Sequence, residues 1–423
     1  MDSFIIHGNF VHSKNRFVLE EINDMNLVVL NNKIDGFYKT IPECFKNLEY
    51  YDYSDKIIIP GLSDLHVHAP QYQFRGLWMD MELLPWLDRH TFPEESKYKN
   101  LDYANKAYDI FVEDLKKSAT TRVCAFATIH EEATLALMKK LEAAGLSGFV
   151  GKVNTDRNAP DILIEESDVS IKNTLSYIEK SKEFKNIKPI ITPRFIPTCS
   201  DYLLKELGKI SKEYKLPVQS HLSENLSEIE WVKELVPQSK SYADAYNIFG
   251  LWGINKTVMA HCVYSYESEL ELLQNKNVFV AHCPDSNTNL TSGVARVTAL
   301  LDSGVNVGLG SDIAGGEDIS ILSAMKNAIK VSKLNKRLSH NNDGSLLFPE
   351  AFYLATKMGG QFFGNVGAFI KGYDADIVVL DDSSIKTTLK SELTLKERLE
   401  QYVYLKSSDC VFAKFVKGRK IED

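Results

Sequence analysis

Apolar and polar residues repeat one unit along most of the chain: a short β-rich apolar run, a polar tip, then a longer stretch with helical spacing. Eight such runs are predicted as strands, at 57–68, 119–128, 148–154, 189–195, 217–221, 257–262, 278–283 and 305–311. Most of the segments between them read as helices. In 201–214, Leu203, Leu204, Leu207 and Ile210 make one apolar stripe, and 321–334 is helical in the same way. Eight strands alternating with helices predict an α/β fold, a (β/α)8 barrel of the TIM type.

The two ends of the chain break that alternation. Residues 3–53 and 368–420 are rich in β-branched and aromatic runs interrupted by Asn, Gly and Asp. Leu27 to Leu30 followed by Asn31-Asn32 reads as a hairpin. The expected domains are therefore 1–60 with 366–423, joined in a small composite β-sandwich, and 61–365 as the barrel. Residues 69–118 form a long excursion after the first barrel strand, of the kind that serves as a functional lid. Its Trp78, Trp86 and Phe92 are assigned to the loop's own core, outside the site.

Composition narrows the function. The 423 residues are 44% apolar and 25% charged, ample for a core. Acidic side chains outnumber basic ones 57 to 49, a net charge of −8 that argues against nucleic acid or anionic lipid as partner. The six cysteines contain no C-x-x-C pair and are read as reduced thiols. No window approaches 18 consecutive apolar residues and no secretory signal is visible at the N-terminus, so the expected address is cytoplasmic.

The chemistry lies at the strand tips. His66-Val67-His68 puts two imidazoles on the same face of a strand end, and strand C-termini form the catalytic face of a barrel. Of ten histidines, His66, His68, His221, His261 and His282 all fall at such tips, whereas His7, His12 and His340 are assigned to turns or the surface. Asp312 ends the eighth strand, where an unpaired acid would be costly. Alone it reads equally well as a helix N-cap, and Glu224, three residues past His221, as a solvated first-turn residue. Together with the histidines they read as a metal ligand and a proton shuttle. Two or three imidazoles and one carboxylate suit zinc with an open position, and ligand type alone also admits iron or nickel. The tip of strand 4 reads Thr192-Pro193-Arg194-Phe195 and offers no lysine to bridge a second ion, and Lys152 on strand 3 is less suited. One metal is expected.

The segments 60–68, His221-Leu222-Ser223-Glu224, Ala260-His261-Cys262, 281–287 and Gly310-Ser311-Asp312 resemble the metal-dependent amidohydrolases, in their mononuclear nucleobase-deaminase branch. His68-Ala69-Pro70-Gln71-Tyr72, 84–87, Thr91-Phe92-Pro93-Glu94 and 192–195 are similar to the guanine deaminases within it, with Pro70 standing where that family commonly carries a small residue. The resemblance implies that His66, His68, His221 and Asp312 bind one zinc ion per chain, and that His261 hydrogen-bonds the attacking water or the substrate. It implies proton transfer by Glu224 and Asp312, which with His221 border the substrate. It further implies that Gln71 and Arg194 hydrogen-bond the purine edge while Phe195 packs on the ring. The implied reaction is hydrolysis of guanine to xanthine and ammonia, by a homodimer. The rivals are deamination of another heterocycle, such as 8-oxoguanine, a triazine or an adenosine-type substrate, and a non-catalytic barrel scaffold.

Overall fold

The N-terminal segment forms four strands, β1 (Phe4–Ser13), β2 (Leu19–Leu30), β3 (Lys33–Tyr38) and β4 (Glu49–Pro60). They belong to a computed structural model that describes residues 2–339, 343–389 and 391–422. β2 reverses into β3 through Asn31 and Asn32, both at positive φ (51° and 70°). That is the backbone of a primed turn, whose twist matches the strands it joins. β1 pairs with both β2 and β4, which corrects the expectation for two histidines. His7 and His12 lie within this central strand, and His12 is buried with Nε2 3.3 Å from Glu20 of β2. His340 is outside the described residues.

The run 57–68 is two strands rather than one. β4 ends at Pro60 and the first barrel strand, β5 (Leu62–His68), begins after Gly61. Pro60 lacks the amide to continue a ladder, and a Cβ at 61 would stand 2.2 Å from the Thr121 side chain. The chain passes there from one layer into the other. The remaining barrel strands are β6 (Thr120–Phe126), β7 (Ser147–Gly151), β8 (Val153–Asn154), β9 (Ile187–Pro189), β10 (Thr192–Pro193), β11 (Val218–Leu222), β12 (Thr257–His261), β13 (Val278–His282) and β14 (Asn306–Leu309). β7 with β8 forms the third stave and β9 with β10 the fourth, which breaks after Pro189, a residue with no amide to donate.

Neighbouring staves pair in parallel. The fourth meets the fifth where the Gln219 amide donates to the Ile191 carbonyl at 2.9 Å. The eighth meets the first where the Asp312 amide donates to the His66 carbonyl (2.9 Å) and the His68 amide to that of Ile313 (3.2 Å). Leu65, Cys124, Ile190, Val258, Phe279, Ala281 and Phe362 form one apolar cluster. All but Phe362, which enters from the short helix Gly359–Phe363, come from staves on opposite sides of the barrel, so they can meet only in its interior. Helix Asp201–Tyr214 buries Leu203, Leu204, Leu207 and Ile210 as its stripe predicts, and the Ser200 hydroxyl accepts the Leu203 amide at its N-terminus.

The chain returns to the N-terminal strands through β15 (Ile377–Leu380), β16 (Ala413–Val416) and β17 (Arg419–Ile421). Among the described residues the sheet order is β17-β16-β15-β4-β1-β2-β3. β1 and β16 are separated by two strands, about 14 Å in a flat sheet, yet the rings of Phe4 and Phe415 stack with centroids 5.0 Å apart. The sheet therefore curls over its own core of Phe4, Ile6, Phe10, Leu27, Val29, Phe369 and Phe415, giving the β-sandwich built from both chain ends. No helix among the described residues is long and apolar enough to cross a membrane.

Candidate active site

Closure of the barrel puts the strand tips around one cavity. His68, Gln71, Arg194, Phe195, His221, Glu224, His261 and Asp312 border it. His66 lies behind them, its Nε2 3.1 Å from Asp312 Oδ1, with His68 Nε2 3.7 Å from the same oxygen. Among the described residues, two overlapping sets of donor atoms are close enough to share an ion: His66, His68 and His221, and His66, His261 and Asp312. His282, the fifth strand-tip histidine, is buried but outside both sets and outside the cavity lining.

The donor chemistry fits a cation. His221 Nδ1 stands 2.7 Å from the Arg194 carbonyl. A carbonyl only accepts, so Nδ1 carries the proton and Nε2 presents a lone pair. That lone pair faces His68 Nε2 at 3.1 Å. Burial, reinforced by neighbouring imidazoles, holds both His68 and His221 well below the ordinary histidine range. Unprotonated nitrogens converging on one point are what a metal requires. Burial works upward on Asp312, but the His66 ring hydrogen-bonded to it and the neighbouring His261 and His68 outweigh it and keep the carboxyl well below its usual range.

Behind these donor side chains, buried Asp64 accepts the amides of His66 and Ser311, each at 3.1 Å, and the Ser311 hydroxyl at 2.5 Å. It joins the first strand to the eighth at the level of the donor atoms. His261 and Asp312 both take left-handed backbone, φ 74° and 46°, turning their side chains out of the strand direction. His261 Nδ1 lies 2.9 Å from Asn287 Oδ1, and its Nε2 lies 3.3 Å from Glu224 Oε2 and 3.7 Å from Asp312 Oδ2. Burial, then the nearby Asp312 charge, pushes Glu224 well above the usual carboxylate range. A carboxyl that keeps its proton beside a deprotonated one is an acid–base pair. Glu228, raised by burial to about 7, anchors the turn by accepting the Glu224 amide at 3.0 Å.

A model of the Amidohydrolase family matches residues 57–421. The chain belongs to the amidohydrolase family. A guanine deaminase of Dictyostelium discoideum is 39% identical over 379 residues, 88% of this chain and 84% of its own. One from Escherichia coli (strain K12) is 33% identical over 417 residues, 95% of this chain and 92% of its own. Among solved structures, guanine deaminase from C. acetobutylicum, with guanine bound in its active site, superposes with a TM-score of 0.96 at 44% identity over the whole of both chains.

In this amidohydrolase the lid contributes more than its sequence suggested. Trp86, assigned to loop core, is buried and borders the cavity with Leu83 and Leu87. Phe92 is buried with the Arg194 guanidinium 5.1 Å above its ring centroid. Trp78 is not core at all: it is 46% exposed and stacks on His90. Sequence reasoning also passed over Glu95, which binds both Gln71 and Arg194. The only signal was its place beside the Thr91-Phe92-Pro93-Glu94 stretch. Lys152 is closed off, fully buried and paired with Glu165.

Proposed function

We propose that this amidohydrolase is a guanine deaminase that hydrolyses guanine to xanthine and ammonia. One observation carries the reading: a single cavity is bordered at once by His68, His221, His261 and Asp312 of the metal-binding sets, with His66 directly behind, by Glu224 beside Asp312, and by Gln71, Arg194 and Phe195. The full-length similarity to guanine deaminases supports it.

His66, His68, His221 and Asp312 would hold one zinc ion per chain. When bound, that ion supplies a nucleophile at neutral pH by acidifying water. Asp312, already deprotonated, takes the proton of the attacking water. Attack falls on the carbon that bears the amino group, C2 of guanine. Glu224, which retains its proton, delivers it to the adjacent ring nitrogen. His261, oriented by Asn287 and facing both carboxyl groups, stabilises the charge that develops. Asp312 returns its proton to the amino nitrogen, the carbon–nitrogen bond breaks as the new hydroxyl becomes a carbonyl and gives its proton to Glu224, and ammonia leaves. Gln71 presents an amide with one donor and one acceptor side, Arg194 a fixed array of donors, and Phe195 an apolar face for the ring. A site that hydrogen-bonds its substrate rejects analogues lacking the matching groups by roughly 10⁴, so adenine and cytosine are poor substrates.

The same reading places the domain limits at 60/61 and 365/366, and takes the working form as a homodimer in the cytoplasm; the mass of the purified protein in solution tests the dimer. The deciding experiment measures ammonia release and loss of guanine absorbance with metal-analysed protein, beside Glu224→Ala. Turnover of guanine with about one zinc per chain, lost on chelation and restored by zinc, together with a metal-loaded but inactive variant, is the expected result. Equal turnover of adenine, or a loaded protein that ignores every base, overturns it.

A further inference from the structure

Glu95 sits in the lid on the short helix Phe92–Ser96, is 4% exposed, and does not border the cavity. A buried carboxylate is costly unless both oxygens are occupied, and here each has one partner. Arg194 Nη1 donates to Oε2 at 2.6 Å, and Gln71 Nε2 donates to Oε1 at 2.9 Å. The series continues, because the Ala314 amide donates to Gln71 Oε1 at 3.0 Å. Three segments that border the cavity, after the first, fourth and eighth staves, are thus tied to the lid through one side chain.

The two ends of this chain of hydrogen bonds are a guanidinium and a backbone N–H, groups that can only donate. The middle must therefore contain a group that only accepts, and Glu95 is that group. With a carboxylate at 95, the Gln71 amide has a single allowed orientation, nitrogen toward Glu95 and oxygen toward Ala314. One N–H and one lone pair of known position remain to Gln71, and Arg194 is clamped between the carboxylate and the Phe92 ring. We propose that Glu95 is a positioning residue that sets selectivity for guanine by fixing the orientation of Gln71 and Arg194 toward the carbonyl-bearing edge of the base. The proposal rests on the guanine deaminase reading.

The test compares guanine with 2-aminopurine, which keeps the 2-amino group but lacks the 6-oxo group and the adjacent N–H. Both are measured on the zinc-loaded wild type and on Glu95→Gln, 2-aminopurine as substrate or as competitive inhibitor. In Glu95→Gln one position in the chain has donor facing donor. Guanine kcat/KM is expected to fall about 10- to 100-fold, mainly through KM, the loss of one charge-assisted hydrogen bond. The constant for 2-aminopurine should change less than about threefold, since that ligand never used the contact. A merely structural role lowers both alike, and an unchanged ratio overturns the proposal. A wild type that leaves guanine untouched instead overturns the reading beneath it.

The reciprocal double variant Gln71→Glu with Glu95→Gln gives an independent arm. It restores an acceptor-only group to the middle of the chain, so thermal stability should return toward wild type. The preference for guanine stays lost, because position 71 no longer donates. A double variant no more stable than Glu95→Gln contradicts the single-orientation argument.

Discussion

At the scale of single residues, buried groups outside the cavity hold in place the backbone that carries the candidate donor atoms. The Asp64 carboxyl is the plainest example: burial raises it to about 7, yet it accepts three hydrogen bonds that join the His66 and Ser311 backbones. Asp64→Ala leaves two buried amides unsatisfied, at about 1–3 kcal/mol each. The expected outcome is a loss of about 2–4 kcal/mol in urea unfolding and weaker metal retention during dialysis against a chelator. An Asp64→Ala protein that unfolds at the wild-type midpoint and keeps its metal contradicts that role. His66, His68, His221, His261 and Asp312 were legible only as a group, each weak alone but all at predicted strand tips, and Glu224 only by its place three residues past His221, with their roles coming from the resemblance. Glu95 and Trp86 were not legible, since the lid has no repeat from which to infer direction.

At the scale of elements, β16 is docked onto the barrel by a buried lysine. Lys414 Nζ donates to the carbonyls of Leu115 (2.8 Å) and Thr120 (2.9 Å), at the end of one helix and the start of β6. Burial lowers it from 10.5 to about 7. Between those values the unfolded chain holds a proton that the folded chain does not. Stability from this group therefore rises with pH from about 7 to about 10.5, by at most about 1.4 kcal/mol per pH unit, and is flat outside that window. Comparing urea midpoints of wild type and Lys414→Met at pH 6.5, 8 and 9.5 should show the variant with the shallower slope. Equal slopes contradict it. The helices were legible by their stripes, as Leu203 to Ile210 show, and strand limits were less so. The apolar pattern runs unbroken through Pro60 and Gly61, and only the packing of Thr121 against Gly61 reveals that the chain changes layers there.

At the scale of the molecule, the barrel and the sandwich are held by a buried ion cluster. Arg122 of β6 binds Asp376 twice, at 2.6 and 2.8 Å, and Asp374 at 2.8 Å, just before β15. Removing one partner strands the other charge, so Arg122→Met is expected to cost about 3–5 kcal/mol by urea denaturation. Arg122→Met with Asp374→Asn and Asp376→Asn should recover part of that loss. Recovery of none would assign the cost to packing rather than charge.

The spacing of apolar runs was enough to predict a barrel of eight staves and a β layer from both ends, and to show that five of the histidines and Asp312 fall at strand tips. Those features are periodic, and period is a local property of a chain. What the order of residues left open was decided by closure. Asp312 reaches His66 only because the eighth strand hydrogen-bonds the first. Gln71, Glu95, Arg194 and Ala314 come from four separate segments and become one chain of hydrogen bonds only when the lid folds over the barrel mouth. Donor and acceptor directions across such distances are set by packing, and no local pattern encodes them.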